Sequence, residues 1–194
     1  MWLRRAALGL GILAVLLLLA SGPGTRLGVW HFSTGFLLMR GAVYVGGAAA
    51  LLGALGLSMP RARQGSAVLL LAAVALGLVA AAIPLEFQRR ARSAPRVNDV
   101  SEARLLQSPP REAFAKARAA AERMGWEIVA ADPAAGRIDA VATTPWFGFK
   151  DDVRLQVTPQ GGASRIDVRS KSRVGRGDAG TNARRIREFL KRVE

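Results

Sequence analysis

The chain has 194 residues, 51% of them hydrophobic, with 28 Lys and Arg against 14 Asp and Glu, a net charge of +14, and no cysteine. Without cysteine there are no disulfides, thiolate metal sites or cysteine nucleophile, and the single histidine, His31, lies too early in the chain to serve a triad in the second half. So basic a chain suggests nucleic acid. Yet ten arginines and one acid, Glu86, put about +9 of the charge before Val97, around apolar stretches where arginine sets topology and meets head groups, so nucleic-acid binding is not expected.

Three stretches without a charged residue come first: Ala6 to Thr25, Gly41 to Pro60 and Gln64 to Leu85. A hydrocarbon core of about 30 Å needs roughly 20 apolar helical residues at 1.5 Å each. This predicts a membrane domain over residues 1–85 with three transmembrane helices at about 6–22, 35–58 and 65–85. Ser21-Gly22-Pro23-Gly24 reads as the stop of the first, which is retained as a signal anchor. His31, between Trp30 and Phe32, reads as an interfacial residue.

The second span begins near Thr34, which places Arg40 inside the helix, where its long stem lets the guanidinium snorkel to the head groups. Gly46, Ala49, Gly53 and Gly56 recur at spacings of three and four and form one smooth face. Such a face admits another helix at close range, either from the neighbouring spans or from a second copy or larger complex.

Flanking charge gives two answers on topology. Arg4 and Arg5 outweigh Arg26, which favours a cytoplasmic N-terminus and a C-terminal domain outside. Over all flanks, Arg4, Arg5, Arg61 and Arg63 face Arg26, Arg40, Arg89, Arg90, Arg92 and Arg96, which favours the reverse.

Residues 86–107 are polar, basic and interrupted by Pro95, and read as a linker to a soluble domain over 108–194. Ser108 is placed to cap a helix that starts at Pro109 and Pro110 and presents Phe114, Ala117, Ala121 and Met124 on one side until Gly125. The period then falls to two. Trp126, Ile128 and Ala130 precede a turn at Asp132-Pro133-Ala134-Ala135-Gly136, and Ile138, Ala140 and Ala142 follow it. Val153, Leu155 and Val157 form a third inner face, Gly161-Gly162 turns the chain, and Ile166 and Val168 form a fourth. A last helix from Thr181 presents Ile186, Phe189, Leu190 and Val193. The expected class is α+β, in the order helix, four-stranded antiparallel sheet, helix.

Adjacent Asp151 and Asp152 on a strand point to opposite faces and cannot share a substrate. Ser170 and Ser172 share a face but have no histidine base, and no His, Cys or carboxylate spacing makes a metal site. No catalysis, cofactor or metal is expected. Between Arg169 and Leu190, Gly175, Gly177 and Gly180 lead into a helix start that can receive an anion, with Arg173, Arg176 or Arg185 adding charge. Alternatively Asp178, Thr181 or Asn182 caps that helix while Asp151 or Asp152 pairs with Arg169 or Arg173. Either way Asp151, Asp152, Arg169, Arg173, Gly175, Asp178, Asn182 and Arg185 are the candidate polar centre. Between strands, Trp146, Phe147 and Phe149 either close one end of the core or form an apolar patch with Trp146 outermost.

Phe147-Gly148-Phe149-Lys150-Asp151-Asp152-Val153, Arg169-Ser170-Lys171-Ser172-Arg173-Val174-Gly175 and Asp178-Ala179-Gly180-Thr181-Asn182-Ala183-Arg184-Arg185-Ile186, with Gly125-Trp126 before them, resemble the bacterial domain-of-unknown-function family numbered 1499. The resemblance covers about residues 97–194. It implies a membrane-attached or envelope domain, tips the topology toward a periplasmic C-terminus at the bacterial inner membrane, and implies no activity. The expected function is a non-catalytic multi-pass inner-membrane protein, surrounded by membrane lipids, whose tethered domain binds an anionic envelope component or a protein partner. The alternatives are an accessory subunit docking through the second span, and an unrecognised hydrolase or transferase.

Overall fold

A computed structural model describes residues 2–60, 67–94 and 96–194. The expected start of the third span, Arg61, Arg63 and Pro95 lie outside the described residues. The chain divides into two compact units, Met1–Arg89 with Trp146–Gly148, and Arg90–Pro145 with Phe149–Glu194.

The first unit is built on helices α1 (Trp2–Arg26), α2 (Phe32–Ser58) and α3 (Ala67–Ser93), each long and apolar enough to cross a membrane. The glycine and proline expected to end the first span do not end it, because α1 runs through Pro23. Local hydroxyls bond backbone carbonyls there: Ser21 Oγ donates to Leu18 O at 2.7 Å and Thr25 Oγ1 to Ser21 O at 3.1 Å. Side-chain bonding of this kind is what lets membrane helices tolerate proline. α3 likewise passes Pro84 and continues beyond the expected end near residue 85.

The small-residue face of α2 is buried from Gly35 through Met39, Ala42, Gly46, Ala49 and Gly53 to Gly56. Its neighbours belong to this same unit. A Cβ at Gly46 would lie 2.7 Å from the Gly77 carbonyl oxygen, and one at Gly77 only 2.3 Å from the Gly46 oxygen. Gly53 meets Val74 and Leu70 of α3 in the same way, and Ala14 of α1 flanks Gly46. The face offered above as a docking surface for a larger complex is thus filled from within. Arg40 is exposed, off that buried face.

Residues 146–148 pack in this unit, so of the two readings for the aromatic loop, Trp146 and Phe147 do not close the core of the sheet domain. Phe147 is 8% exposed with its ring 4.9 Å from that of Phe36, and Trp146 Nε1 donates to Ser21 Oγ at 3.3 Å. Gly22 makes room for the indole, since a Cβ there would stand 2.2 Å from Trp146 Cδ1.

The second unit is a five-stranded antiparallel sheet, ordered β1-β5-β4-β3-β2, with two helices. In chain order these are β1 (Asp99–Leu106), α4 (Pro110–Arg123), β2 (Glu127–Asp132), β3 (Arg137–Thr143), β4 (Lys150–Gln160), β5 (Ala163–Ser172) and α5 (Thr181–Arg192). The α+β class stands, with one strand more than expected. β1 arises from the segment read as linker and pairs along β5. Its inward positions include Glu102 and Arg104, so no apolar alternation announces it; Arg104 Nη1 is held by the Leu190 carbonyl at 3.1 Å and by Glu194.

Phe114, Ala117, Ala121, Ile138, Leu155, Ile166, Val168, Ile186, Phe189 and Leu190 form the core, and Trp126 stacks on Phe189 at 5.3 Å. β2 departs from strict alternation. A bulge between Ile128 and Ala130 shifts the register, so Ala130 is exposed and Ala131 packs on the core instead. Ser108 does not cap α4 either. The cap position belongs to Pro109, without a side-chain bond, and the buried Ser108 Oγ has no hydrogen-bond partner.

Candidate functional site

Alternation along β4 and β5 sends Asp151, Ser170 and Ser172 under the helices and Asp152, Arg154, Arg169 and Lys171 to the opposite face. The candidate polar centre is thereby divided between two places.

On the inner side, Asp151, Asn182, Arg185 and Asp178 come together with Ser170, Ser172 and Asn98. Arg185 Nη2 donates to Asp151 Oδ2 at 2.6 Å, with 9% and 3% of the two side chains exposed. Arg185 Nη1 also donates to Ser170 Oγ at 2.9 Å, and Ser170 Oγ donates to Asn182 Oδ1 at 2.8 Å. Asn182 Nδ2 donates to Ser172 Oγ at 3.1 Å and to the Asn98 carbonyl at 3.0 Å, and Asn98 Nδ2 reaches the Gly175 carbonyl at 2.8 Å. A low-polarity interior makes such bonds strong and leaves any unpaired member costly. Here the members satisfy one another, and they fasten the loop after β5 to the sheet.

At the start of α5 the Asp178 carboxylate accepts from Asn182 N at 2.6 Å and from Gly180 N at 2.9 Å. These backbone donors are the ones an external anion would use. The protein's own carboxylate occupies these two, while the cap position itself is Gly180, without a side-chain bond. Gly175 and Gly180 have φ of 88° and 73°, which side chains rarely adopt.

On the outer face, Asp152 accepts from Arg173 at 2.6 Å, Asp99 from Arg169 at 2.8 Å, and Asp139 from both Arg154 at 2.8 Å and Arg137 at 2.7 Å. Hydrogen bonds from Arg173 and Arg169 hold the Asp152 and Asp99 carboxyls below their ordinary range. Burial works to raise Asp139, but the bonds from Arg154 and Arg137 outweigh it and hold this carboxyl low too. The same bonds raise Arg173 and Arg169.

Arg154 and Arg169 stand directly opposite each other across β4 and β5, a like-charge pairing that is unfavourable by itself. Lys171 is in register with Asp99 on one side and Asp152 on the other. Both carboxylates are bonded to arginines, and among the described residues Lys171 forms no ion pair. Together with Arg154, Arg169, Arg173, Asp139 and Asp152 it lines a shallow hollow of about 310 Å³ whose apolar part includes Val129 and Val141.

Sequence reasoning singled out Arg169, Arg173 and Asp152 on this face but missed Lys171 and Arg154. Their signal was present as outward positions on the two strands already identified. A larger hollow of about 550 Å³ beside the β2–β3 turn is lined by Pro110, Phe114, Pro133, Gly136 and Pro159, with Arg111 as its one charged residue. Among the described residues no three of His, Cys, Asp and Glu gather as metal ligands.

A family model described as "Protein of unknown function (DUF1499)" matches residues 81–193. No curated protein matches the chain. Among solved structures, the crystal structure of Ara h 8.0201 aligns with a TM-score of 0.39 and 15% identity, over 49% of this chain and 93% of that one. The crystal structure of TTHA0849 from Thermus thermophilus aligns with a TM-score of 0.31 and 14% identity over the same shares.

Proposed function

The chain belongs to the DUF1499 family of proteins of unknown function, and from that membership and the chemistry of its outer sheet face we propose a non-catalytic, membrane-anchored binding protein for an anionic envelope component. Three helices fit to cross a membrane supply the anchor. The domain is on the envelope side of the inner membrane, as Arg4 and Arg5 before α1 and the family resemblance favour.

One observation carries the reading. Lys171, flanked by Asp99 and Asp152 but in an ion pair with neither, lies in a hollow with three ion-paired arginines on an exposed sheet face. Exposed cations of this kind attract polyanions through long-range, salt-sensitive forces. The engagement of the reactive groups supports the non-catalytic reading. Asp151 is committed to Arg185 and both inward serines to Asn182, and neither Asp151 nor Asp178 lines either hollow.

The full chain in neutral nanodiscs is expected to retain a labelled soluble polyphosphate at low salt and to release it as salt rises. Lys171→Glu is expected to weaken that retention strongly. Equal retention by wild type and variant would remove the outer face from consideration. A reporter fused after Glu194, active only outside the cytoplasm, tests the side.

A further inference from the structure

We infer that the hollow on the outer sheet face holds the head group of an anionic phospholipid from the bilayer that carries the chain's own helices. This rests on the anion-binding reading above and names the source of the anion.

The hollow combines two chemistries. Arg154, Arg169, Lys171 and Arg173 bring four cations against Asp139, Asp152 and the Asp99 bonded to Arg169, so one positive charge is left over. Lys171 contributes an ammonium that lies between Asp99 and Asp152 without forming an ion pair with either, both being bonded to arginines, and a phosphate oxygen is a complementary acceptor. The β2 bulge supplies the second chemistry. By shifting the register between Ile128 and Ala130 it sets Val129 at the hollow, 63% exposed, near Val141, which is only 6% exposed. Bulges commonly re-aim a side chain beside a working surface. A charged rim over a valine floor suits a phosphate attached to a small carbon skeleton better than a bare inorganic ion.

Volume and chain length choose the source. About 310 Å³ is at the small end of ligand sites, enough for a head group and too little for acyl chains. α3 ends at Ser93 and β1 begins at Asp99. The intervening residues span at most roughly 20 Å even when extended. α3 itself, at 1.5 Å per residue, is about 40 Å long against a hydrocarbon core of about 30 Å. The domain is therefore leashed close to head groups, whose effective concentration is high enough for a single small hollow to be occupied.

The test uses the full chain in nanodiscs of phosphatidylcholine alone or with phosphatidylglycerol added, treated with an amine-acetylating reagent and read by mass spectrometry at each lysine. Lys171 is expected to react at least about fivefold more slowly in the anionic discs, with Lys116 and Lys191 unchanged. Val129→Asp, at an exposed bulge position, is expected to abolish that protection while leaving the melting temperature and the other lysines as they were. Equal slowing of all three lysines, no slowing at Lys171, or protection that survives Val129→Asp overturns the inference. Inorganic phosphate in neutral discs separates the two readings. If it protects Lys171 as well as phosphatidylglycerol does, the face binds anions but the lipid source is wrong; if neither protects, both readings fall.

Discussion

Arg185 holds Asp151 across 2.6 Å under the helices of the sheet domain, while the next residue, Asp152, is bound on the opposite face by Arg173. One peptide step separates a pair shut away from water from a pair open to it. Their removal should have very different consequences.

Truncating either member of the buried pair leaves the other charged and unpaired, at a cost of about 3–5 kcal/mol. Arg185→Ala and Asp151→Ala are each expected to lower the unfolding midpoint of the sheet domain sharply, followed through the fluorescence of Trp126 stacked on Phe189. Asp152→Ala, whose pair is about half exposed, is expected to change it by no more than about 1 kcal/mol. Similar losses from all three would contradict the division of faces.

Asp178 accepts from the cap residue Gly180 and from Asn182 in the first turn of α5, so its carboxylate acts as a cap from two residues upstream. Replacing a capping side chain by alanine costs about 0.5–2 kcal/mol. Asp178→Ala is expected to speed hydrogen exchange at Gly180 and Asn182, with Asp178→Asn in between. Unchanged exchange at these amides would show that the cap contributes nothing.

Ser108 presents the opposite case, a buried hydroxyl with no partner. An unsatisfied buried polar group costs about 1–3 kcal/mol, so Ser108→Ala is expected to be neutral or stabilising in thermal unfolding. A clear loss of stability would mean that the hydroxyl has a partner in solution.

Acid should loosen the outer face. Asp99, Asp139 and Asp152 have folded-state carboxyls below their unfolded values. Their contribution is present above the unfolded value near 3.8 and is lost as pH falls through the lower folded values. Stability is therefore expected to hold steady from neutral pH down to about 5 and to fall progressively below about 4, less steeply at high salt. Unfolding midpoints taken between about pH 6 and 2.5 at two ionic strengths check both the sign and the window.

In the helical unit, Gly77→Ala would drive a methyl group into the Gly46 carbonyl oxygen at 2.3 Å, contact with backbone that cannot swing aside. The detergent-solubilised chain is expected to melt earlier or aggregate. Gly47→Ala, which meets nothing within 4 Å, serves as the control.

Apolar periodicity made α4, α5 and the inner faces of β3, β4 and β5 legible, because each buries its side chains on a regular spacing. β1 escaped because Arg104, at an inward position, is answered by Leu190 and Glu194, far along the chain. The bulge escaped because Ile128, Val129 and Ala130 are all apolar, and composition cannot say which of them the sheet skips. Parity alone separated Asp151 from Asp152. The choice of Arg185 over Arg169 or Arg173 as the buried partner depended on how α5 lies against β5, which no local pattern encodes. Pro23 and Pro84 misled for a related reason, since in lipid a helix has no solvent alternative for its backbone and continues through residues that would end it in water.

The two outermost strands have a further consequence for a domain confined to a plane. Tethering to a bilayer would crowd copies together, and an unpaired strand edge is an invitation to join edge to edge with a neighbour. β2 is only six residues long, kinked by its bulge and bounded by Glu127 and Asp132; β1 places Asp99, Glu102 and Arg104 along its length. Both rims are thereby poor templates for pairing between copies.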